Sequence, residues 1–221
     1  MSGPGGKGDI LTALTAGRVV FDATVPLYLS ELGQSATLAG AFRDRALIPG
    51  GVFRELDGLS HHGFPAAETL LRPRPFARVV ELSGDELEDV IKRQRRWNGE
   101  RAYEDPTEDR GEAECLQLCM RDVERTIALC AHDHKVRNDP DSRGITMLDA
   151  VSVCLLFALR GTAADAAWRL YTDLVRRGMN EVRHFPPDRR GEHLFAQVVD
   201  ASRRRLDLVR SSPMTRKGAT A

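Results

Sequence analysis

Short apolar runs alternate with amphipathic stretches over the first two thirds of the chain. RVVFD (18–22) is a compact apolar run ending in an acid, the pattern of a buried strand. Val25, Leu27, Tyr28, Leu29 and Leu32 recur at helical spacing from Ala23 to Leu32, and Gly33 stops that helix. Ser35 is placed to start a second helix toward Asp44, followed by a strand ALIP (46–49), a Gly50-Gly51 turn and a helix from Val52 to Leu59. Phe76 to Leu82 reads as a third strand. Ser83 and Glu86 then form an S-x-x-E capping box, which predicts a charged helix from Gly84 to about Arg96. The polar run 95–111, with Pro106, reads as a loop or flexible insertion ahead of a helix from Glu112 to about Asp122. TIALCAHD (126–133) and GITML (144–148) supply two more strands.

Alternation of this kind predicts an α/β three-layer sandwich around a mostly parallel sheet of about five strands, since parallel neighbours need helical crossovers. From Asp149 onward the pattern is helical, with Ala150–Leu159, Ala163–Arg177 and Glu192–Val209 as segments of a C-terminal helical extension. The expected organisation is an N-terminal extension over 1–17, an α/β domain over 18–148, helices packed on it over 149–210, and a disordered tail over 211–221.

Composition narrows the class. No stretch approaches the roughly 18 apolar residues of a membrane span, and MSGPGGKGD has no secretory apolar run, so a cytoplasmic protein without a membrane partner is expected. Cys115, Cys119, Cys130 and Cys154 lie in apolar stretches without CxxC spacing, which fits reduced, buried thiols. The 32 basic residues balance the 32 acidic ones. That balance argues against a constitutive, non-specific nucleic-acid binder but leaves room for an enzyme whose acidic site offsets a basic groove.

Candidate chemistry sits at strand ends. Asp22 closes the first strand and begins a D-x-T unit with Thr24; Asp133 closes TIALCAHD in the same way. In a parallel sheet both would face the crevice beyond the carboxyl ends of the strands, where two acids repel unless a cation lies between them. Hard divalent cations take such oxygen ligands. Glu55 and Glu112, near helix starts, extend the set to four carboxylates. Each also has a plain structural use: Asp22 as an N-cap, Asp109 with Glu112 as a D-x-x-E capping box, Glu55 as an acid favoured by a helix dipole, and Asp133 as a turn residue.

Taken in order, VVFDATVPLYLSELG, ALIPGGVFREL, DRGEAECLQLC and IALCAHDHKVR resemble the successive motifs of PIN-domain ribonucleases, VapC-type toxins among them, with a third motif of the GEAE form. The resemblance covers Arg18 to about Leu148. It implies an acidic site at the carboxyl end of a parallel sheet that binds Mg²⁺ or Mn²⁺ and hydrolyses RNA. It makes Asp22, Glu112 and Asp133 the metal ligands, with Glu55 as the acid of VFREL and Thr24 as the hydroxyl of the D-x-S/T pattern. A cognate antitoxin and homodimerisation are further implications. Where many relatives carry a second acid next to the Asp133 position, this chain has His132 and His134. The connection 94–111 is long, and the helices after Leu148 exceed a minimal PIN domain.

The remaining candidates divide between site and surface. Lys135 is a candidate contact to a substrate phosphate, or a solvated lysine. His61-His62 reads as an exposed turn. KRQRR (92–96) with Trp97 has the charge and aromatic mix that contacts single-stranded RNA, and equally suits a solvated helix end; Arg203 to Arg205 share that ambiguity. Trp168, Leu170 and Leu174 lie on one amphipathic face and are expected in a core. A catalytically weak PIN-like module for RNA binding or protein interaction is the alternative to a nuclease. A phosphotransfer receiver fits less well, because one Asp rather than two ends the first strand.

Overall fold

The computed structural model describes residues 11, 15, 17–121, 127–179 and 185–211. The expected N-terminal extension falls almost wholly outside these residues, as do the tail beyond Ser211, Thr126 and Asp122.

Each apolar run forms a strand, and together they make a five-stranded, all-parallel sheet in the order β3-β2-β1-β4-β5. The strands are β1 (Arg18–Phe21), β2 (Ala46–Pro49), β3 (Arg78–Val80), β4 (Ile127–Cys130) and β5 (Thr146–Leu148). Consecutive residues Val19, Val20 and Phe21 are all fully buried. Side chains alternate between faces along a strand, so burial at every position requires cover on both sides of the sheet. Helices supply it: α1 (Thr24–Glu31), α2 (Ser35–Phe42), α3 (Gly50–His61), α4 (Pro65–Leu71), α5 (Gly84–Asn98), α6 (Arg101–Glu104), α7 (Arg110–Arg121), α8 (His134–Asn138), α9 (Ala150–Leu159), α10 (Ala164–Arg176) and α11 (Arg189–Ser211). The result is the three-layer α/β arrangement expected from the alternation. No helix among the described residues is long and apolar enough to cross a membrane.

Two local readings change, and one helix has no counterpart in the sequence reading. That helix is α4, started by Pro65 at its first position and buried through Ala66, Ala67, Leu70 and Leu71. The third strand shrinks to three residues: the Phe76 N–H donates to Leu70 O at the end of α4 (2.8 Å), and its ring packs edge-on against Phe21 at 5.7 Å. Gly50 and Gly51 do not form a turn but the first turn of α3. The Gly51 N–H donates to Glu114 Oε2 at 2.7 Å, and a Cβ there would stand 2.6 Å from the Glu114 carboxyl. Only glycine lets that carboxylate close on the helix start.

The capping box holds as expected: the Ser83 side chain accepts from the Glu86 N–H and Glu86 accepts from the Ser83 N–H. Downstream, the expected flexible insertion is tied down. Gln94 is buried and donates to the carbonyls of Pro106 (3.1 Å) and Glu108 (2.8 Å), which satisfies its amide only if the 99–109 segment stays in place. Within KRQRRW, Arg93 and Gln94 are buried and Trp97 is half-buried, while Lys92, Arg95 and Arg96 are exposed, so only part of the run is a solvated helix end. Arg93, 4% exposed, donates to Gln117 and Asp141. Arg96 pairs with Asp139 and Asp141, and Trp97 Nε1 donates to Asp139 at 2.6 Å. These side chains fasten α5 to the turn at Pro140–Ser142 and are committed to protein partners.

The C-terminal helices share one hydrophobic core with the sheet. Trp168 packs with Tyr171, Phe185 and Phe195, at ring separations of 5.1, 6.4 and 5.8 Å, and Leu174 is fully buried; the amphipathic face read from the sequence is core. All four cysteines are free and buried, as their apolar settings predicted.

Candidate functional site

From β1 the chain turns to one side to form β2 and β3, then returns to lay β4 and β5 on the other. Loops leaving β1 and β4 therefore diverge, and a crevice opens beyond their carboxyl ends. Asp22 stands there. Its N–H extends the ladder to Cys130 O (3.2 Å). Its carboxylate bridges the two exits: Oδ1 accepts from the N–H of Thr24 (3.1 Å) and Val25 (3.5 Å), and Oδ2 from the N–H of His132 (3.1 Å). The residue is 2% exposed. Burial raises its pKa from 3.8 to about 6, outweighing the three N–H groups that favour the charged form.

Two more carboxylates come from helices that meet in front of Asp22. α3 carries Glu55 and α7 carries Glu112. They approach closely at Gly111, where a Cβ would lie 3.2 Å from Val52 Cγ2 and 3.4 Å from Glu55 Oε2. Glu55 and Glu112 line a cleft of ≈ 830 Å³ together with Arg54, His62, Asp109 and Arg110. Burial raises the Glu55 carboxyl. Glu112 is pushed up from 4.5 to about 7, first by burial and then by the charges of Asp22, Glu55 and Asp109. Asp22, Glu55 and Glu112 thus form one electrostatic unit, although they are 33 and 57 positions apart in the chain.

Of the other predicted residues, Thr24 joins this unit, and Asp133 is not among the groups whose charge acts on it. Thr24 reaches Asp22 through its backbone N–H. Asp133 caps α8, its Oδ1 accepting from the Lys135 N–H, and His134 Nδ1 lies 3.7 Å from the same oxygen. Lys135 Nζ is held by Asp109, which lines the cleft, and by Asn98 Oδ1 at 3.0 Å. The second glutamate of GEAE turns away from the cleft centre: Glu114 closes the start of α3 and pairs with Arg110 (2.9 Å) and Arg54 (3.8 Å). Arg54, His62 and Arg110 were not singled out from the sequence as site residues. Arg54 lies one position before Glu55, and Arg110 two before Glu112; a basic residue beside each acid was the available signal. His62, read as an exposed turn residue, is exposed and also borders the cleft.

The donor set is all carboxylate oxygen, the chemistry of Mg²⁺ or Mn²⁺. Among the described residues no three His, Cys, Asp or Glu side chains converge as a ready metal cage. Mg²⁺ retains several waters and is bound through one or two carboxylates, and Asp22 and Glu112 are the residues that would hold such an ion. A cation there would also relieve the repulsion that raises Glu112.

A pH dependence follows. Asp22 and Glu112 hold protons more tightly in the folded chain than in the unfolded one, where their ordinary values are 3.8 and 4.5. Folding therefore takes up protons between those values and about 6 to 7, and stability falls as pH rises through that window. For Asp22 the change is on the order of 3 kcal/mol, at about 1.4 kcal/mol per pH unit. Thermal melts from pH 4 to pH 8 in chelator will show this decline, and Glu112→Gln will flatten its upper part. A stability that rises over the window would contradict the assignment.

Comparison with family models, with curated proteins and with solved structures finds no match to this chain.

Proposed function

We propose that this protein is a metal-dependent endoribonuclease of the PIN-domain kind, which hydrolyses RNA phosphodiester bonds at the cleft between α3 and α7. The observation that carries the reading is the electrostatic coupling of Asp22, Glu55 and Glu112 at the carboxyl edge of a parallel sheet, beside a cleft large enough for a nucleotide. Acids that repel one another in a partly buried site are most simply accounted for by a bound cation.

Asp22 and Glu112 would hold Mg²⁺ or Mn²⁺, with Asp133 as the third ligand, and such a cation would supply an activated water and charge neutralisation at the phosphate oxygens. The protein's own groups do the rest. Three backbone N–H groups orient Asp22, that of Thr24 among them. Glu55, with its pKa raised by burial, takes the proton of the attacking water; a carboxylate is a better base near neutral pH when its pKa is raised toward it. Arg54 and Arg110 line the cleft and Lys135 is tied to its wall through Asp109, and the three serve as cationic contacts for the substrate backbone. The same reading makes the protein the toxin of a toxin–antitoxin pair in the cytoplasm. Its antitoxin would be a small protein laying a helix or extended segment over the acidic cleft, and the toxin would act as a homodimer.

One observation favours a second reading, a PIN-like module that binds RNA or protein without efficient catalysis: both Asp22 oxygens accept from the backbone, and Asp133 caps its own helix. Incubation of the full chain with a mixed-sequence single-stranded RNA separates the two. The nuclease reading expects internal cleavage with Mn²⁺ or Mg²⁺ and none with chelator. RNA that is bound but left intact in every cation condition would overturn it.

A further inference from the structure

At the edge of the sheet opposite the carboxylates, the chain gathers positive charge. Gly17 and Arg45 immediately precede β1 and β2, while Asp22 lies beyond the end of β1, so the two edges are separated by the length of the strands. At the far edge the C-terminal ends of α2 and α9 border a second pocket of ≈ 280 Å³, lined by Arg43, Arg160, Thr37, Thr162, Phe157 and backbone at Gly40 and Ala41. Arg45 stands behind it.

Among the described residues the guanidinium groups have no carboxylate partner. Arg45 donates to the carbonyls of Gly17 (2.8 Å) and Ala41 (3.0 Å) and lies over the Phe42 ring; Arg160 donates to the Thr15 carbonyl at 3.4 Å. Among the described residues none of Arg43, Arg45 and Arg160 forms an ion pair. A basic residue at a helix C-terminus interacts favourably with the dipole, and that accounts for Arg45, which bonds the last turn of α2. The same holds for Arg43 and Arg160, the C-cap residues of α2 and α9, but it does not require the φ of 45° at Arg43, which lies in the left-handed region that costs energy for a residue with a side chain. That backbone turns Arg43 toward the pocket wall instead of continuing the helix. Burial and the neighbouring charge of Arg160 also lower the Arg45 pKa, so the cluster is repulsive as it stands.

We propose that this pocket is a phosphate-binding site, in which Arg43 and Arg160 supply the charge and the Thr37 and Thr162 hydroxyls supply neutral donors. Planar guanidinium groups and hydroxyl donors around a concave space match a tetrahedral oxyanion, and a phosphate dianion balances the two charges of Arg43 and Arg160 that line it. Free phosphate, a nucleotide and the terminal phosphate of an RNA share this chemistry. The site is separate from the cleft and does not depend on the nuclease reading.

The test is binding to the full chain at constant ionic strength, with inorganic phosphate and with a short RNA bearing either a 5′-phosphate or a 5′-hydroxyl as probes. Arg43→Gln/Arg160→Gln is the comparison. Both side chains are exposed, so the variant is expected to fold, which its circular dichroism will verify. Inorganic phosphate should raise the melting temperature of the parent and not of the variant, with affinity weaker by roughly tenfold or more per arginine lost. A preference of the parent for the 5′-phosphorylated RNA assigns the phosphate to RNA; equal binding of the two RNAs with retained phosphate binding assigns it to a free phosphate or nucleotide. Asp22→Asn should bind phosphate as the parent does, whatever becomes of cleavage. Absence of binding by both inorganic phosphate and the phosphorylated RNA, or equal binding by the double variant, overturns the proposal.

Discussion

Asp22→Asn is expected to lower cation-dependent RNA cleavage by at least about 10³-fold, in line with the loss of a group on which a catalytic unit depends. The substitution is close to isosteric. Asparagine Oδ1 can keep accepting from the Thr24 and Val25 N–H groups, while its NH₂ would face the His132 N–H and lose that bond. Against this loss stands removal of a buried charge, which the raised carboxyl pKa of about 6 shows to be unfavourable at neutral pH. The two effects oppose, so the variant should fold with a melting temperature close to that of the parent. Cation binding supplies a second readout. At a cation concentration roughly a hundred times Kd, the parent should melt about 5–10 °C higher than in chelator, and the variant should not respond. Cleavage retained within a few fold would remove Asp22 from the catalytic unit and sink the proposed mechanism.

Glu114→Ala carries the largest expected effect on stability, about 3–5 kcal/mol, or on the order of 10 °C in melting temperature. The Glu114 side chain is only 1% exposed, and it joins three things at once: the first turn of α3 through Gly51, Arg110 one turn earlier in α7, and Arg54 at the cleft. Truncation leaves the Gly51 N–H without its acceptor and two arginines facing each other beside the acidic site. Glu114→Gln, which keeps an acceptor for Gly51 and loses only the charge, should fall between parent and alanine variant. Gly51→Ala alone should also be destabilising, since its Cβ would press on the carboxylate at 2.6 Å. Combined with Glu114→Ala it should cost less than the sum, because the added methyl enters space that the carboxylate has left. Additive effects in denaturant titration, or a melting temperature for Glu114→Ala within about 1 °C of the parent, would show that α3 is not held in this way.

What the sequence determined by itself is what short-range interactions encode. The strand runs ALIP and IALC are buried at every position and RVVF at all but Arg18, and an apolar run needs no knowledge of its neighbours to be recognised. The Ser83–Glu86 capping box spans one turn of helix and was equally legible. Alternation of strands and helices was enough for the parallel sheet, and with it for the placement of Asp22 at the carboxyl edge. Tertiary structure decided everything whose partner is distant in the chain. Gly50-Gly51 looks like a turn until a glutamate 63 residues later caps it as a helix start. Arg93, Arg96 and Trp97 look solvated until Asp139 and Asp141 arrive 42 to 48 residues on. The cleft took in His62 and Arg110, which had no reading as site residues, and Glu114, with the signature of a site acid, became a structural tie. The properties that make Asp22 and Glu112 a chemical unit belong to the same class. Their raised pKa values come from desolvation and mutual repulsion, and neither exists until β1, α3 and α7 have excluded water from the space between them.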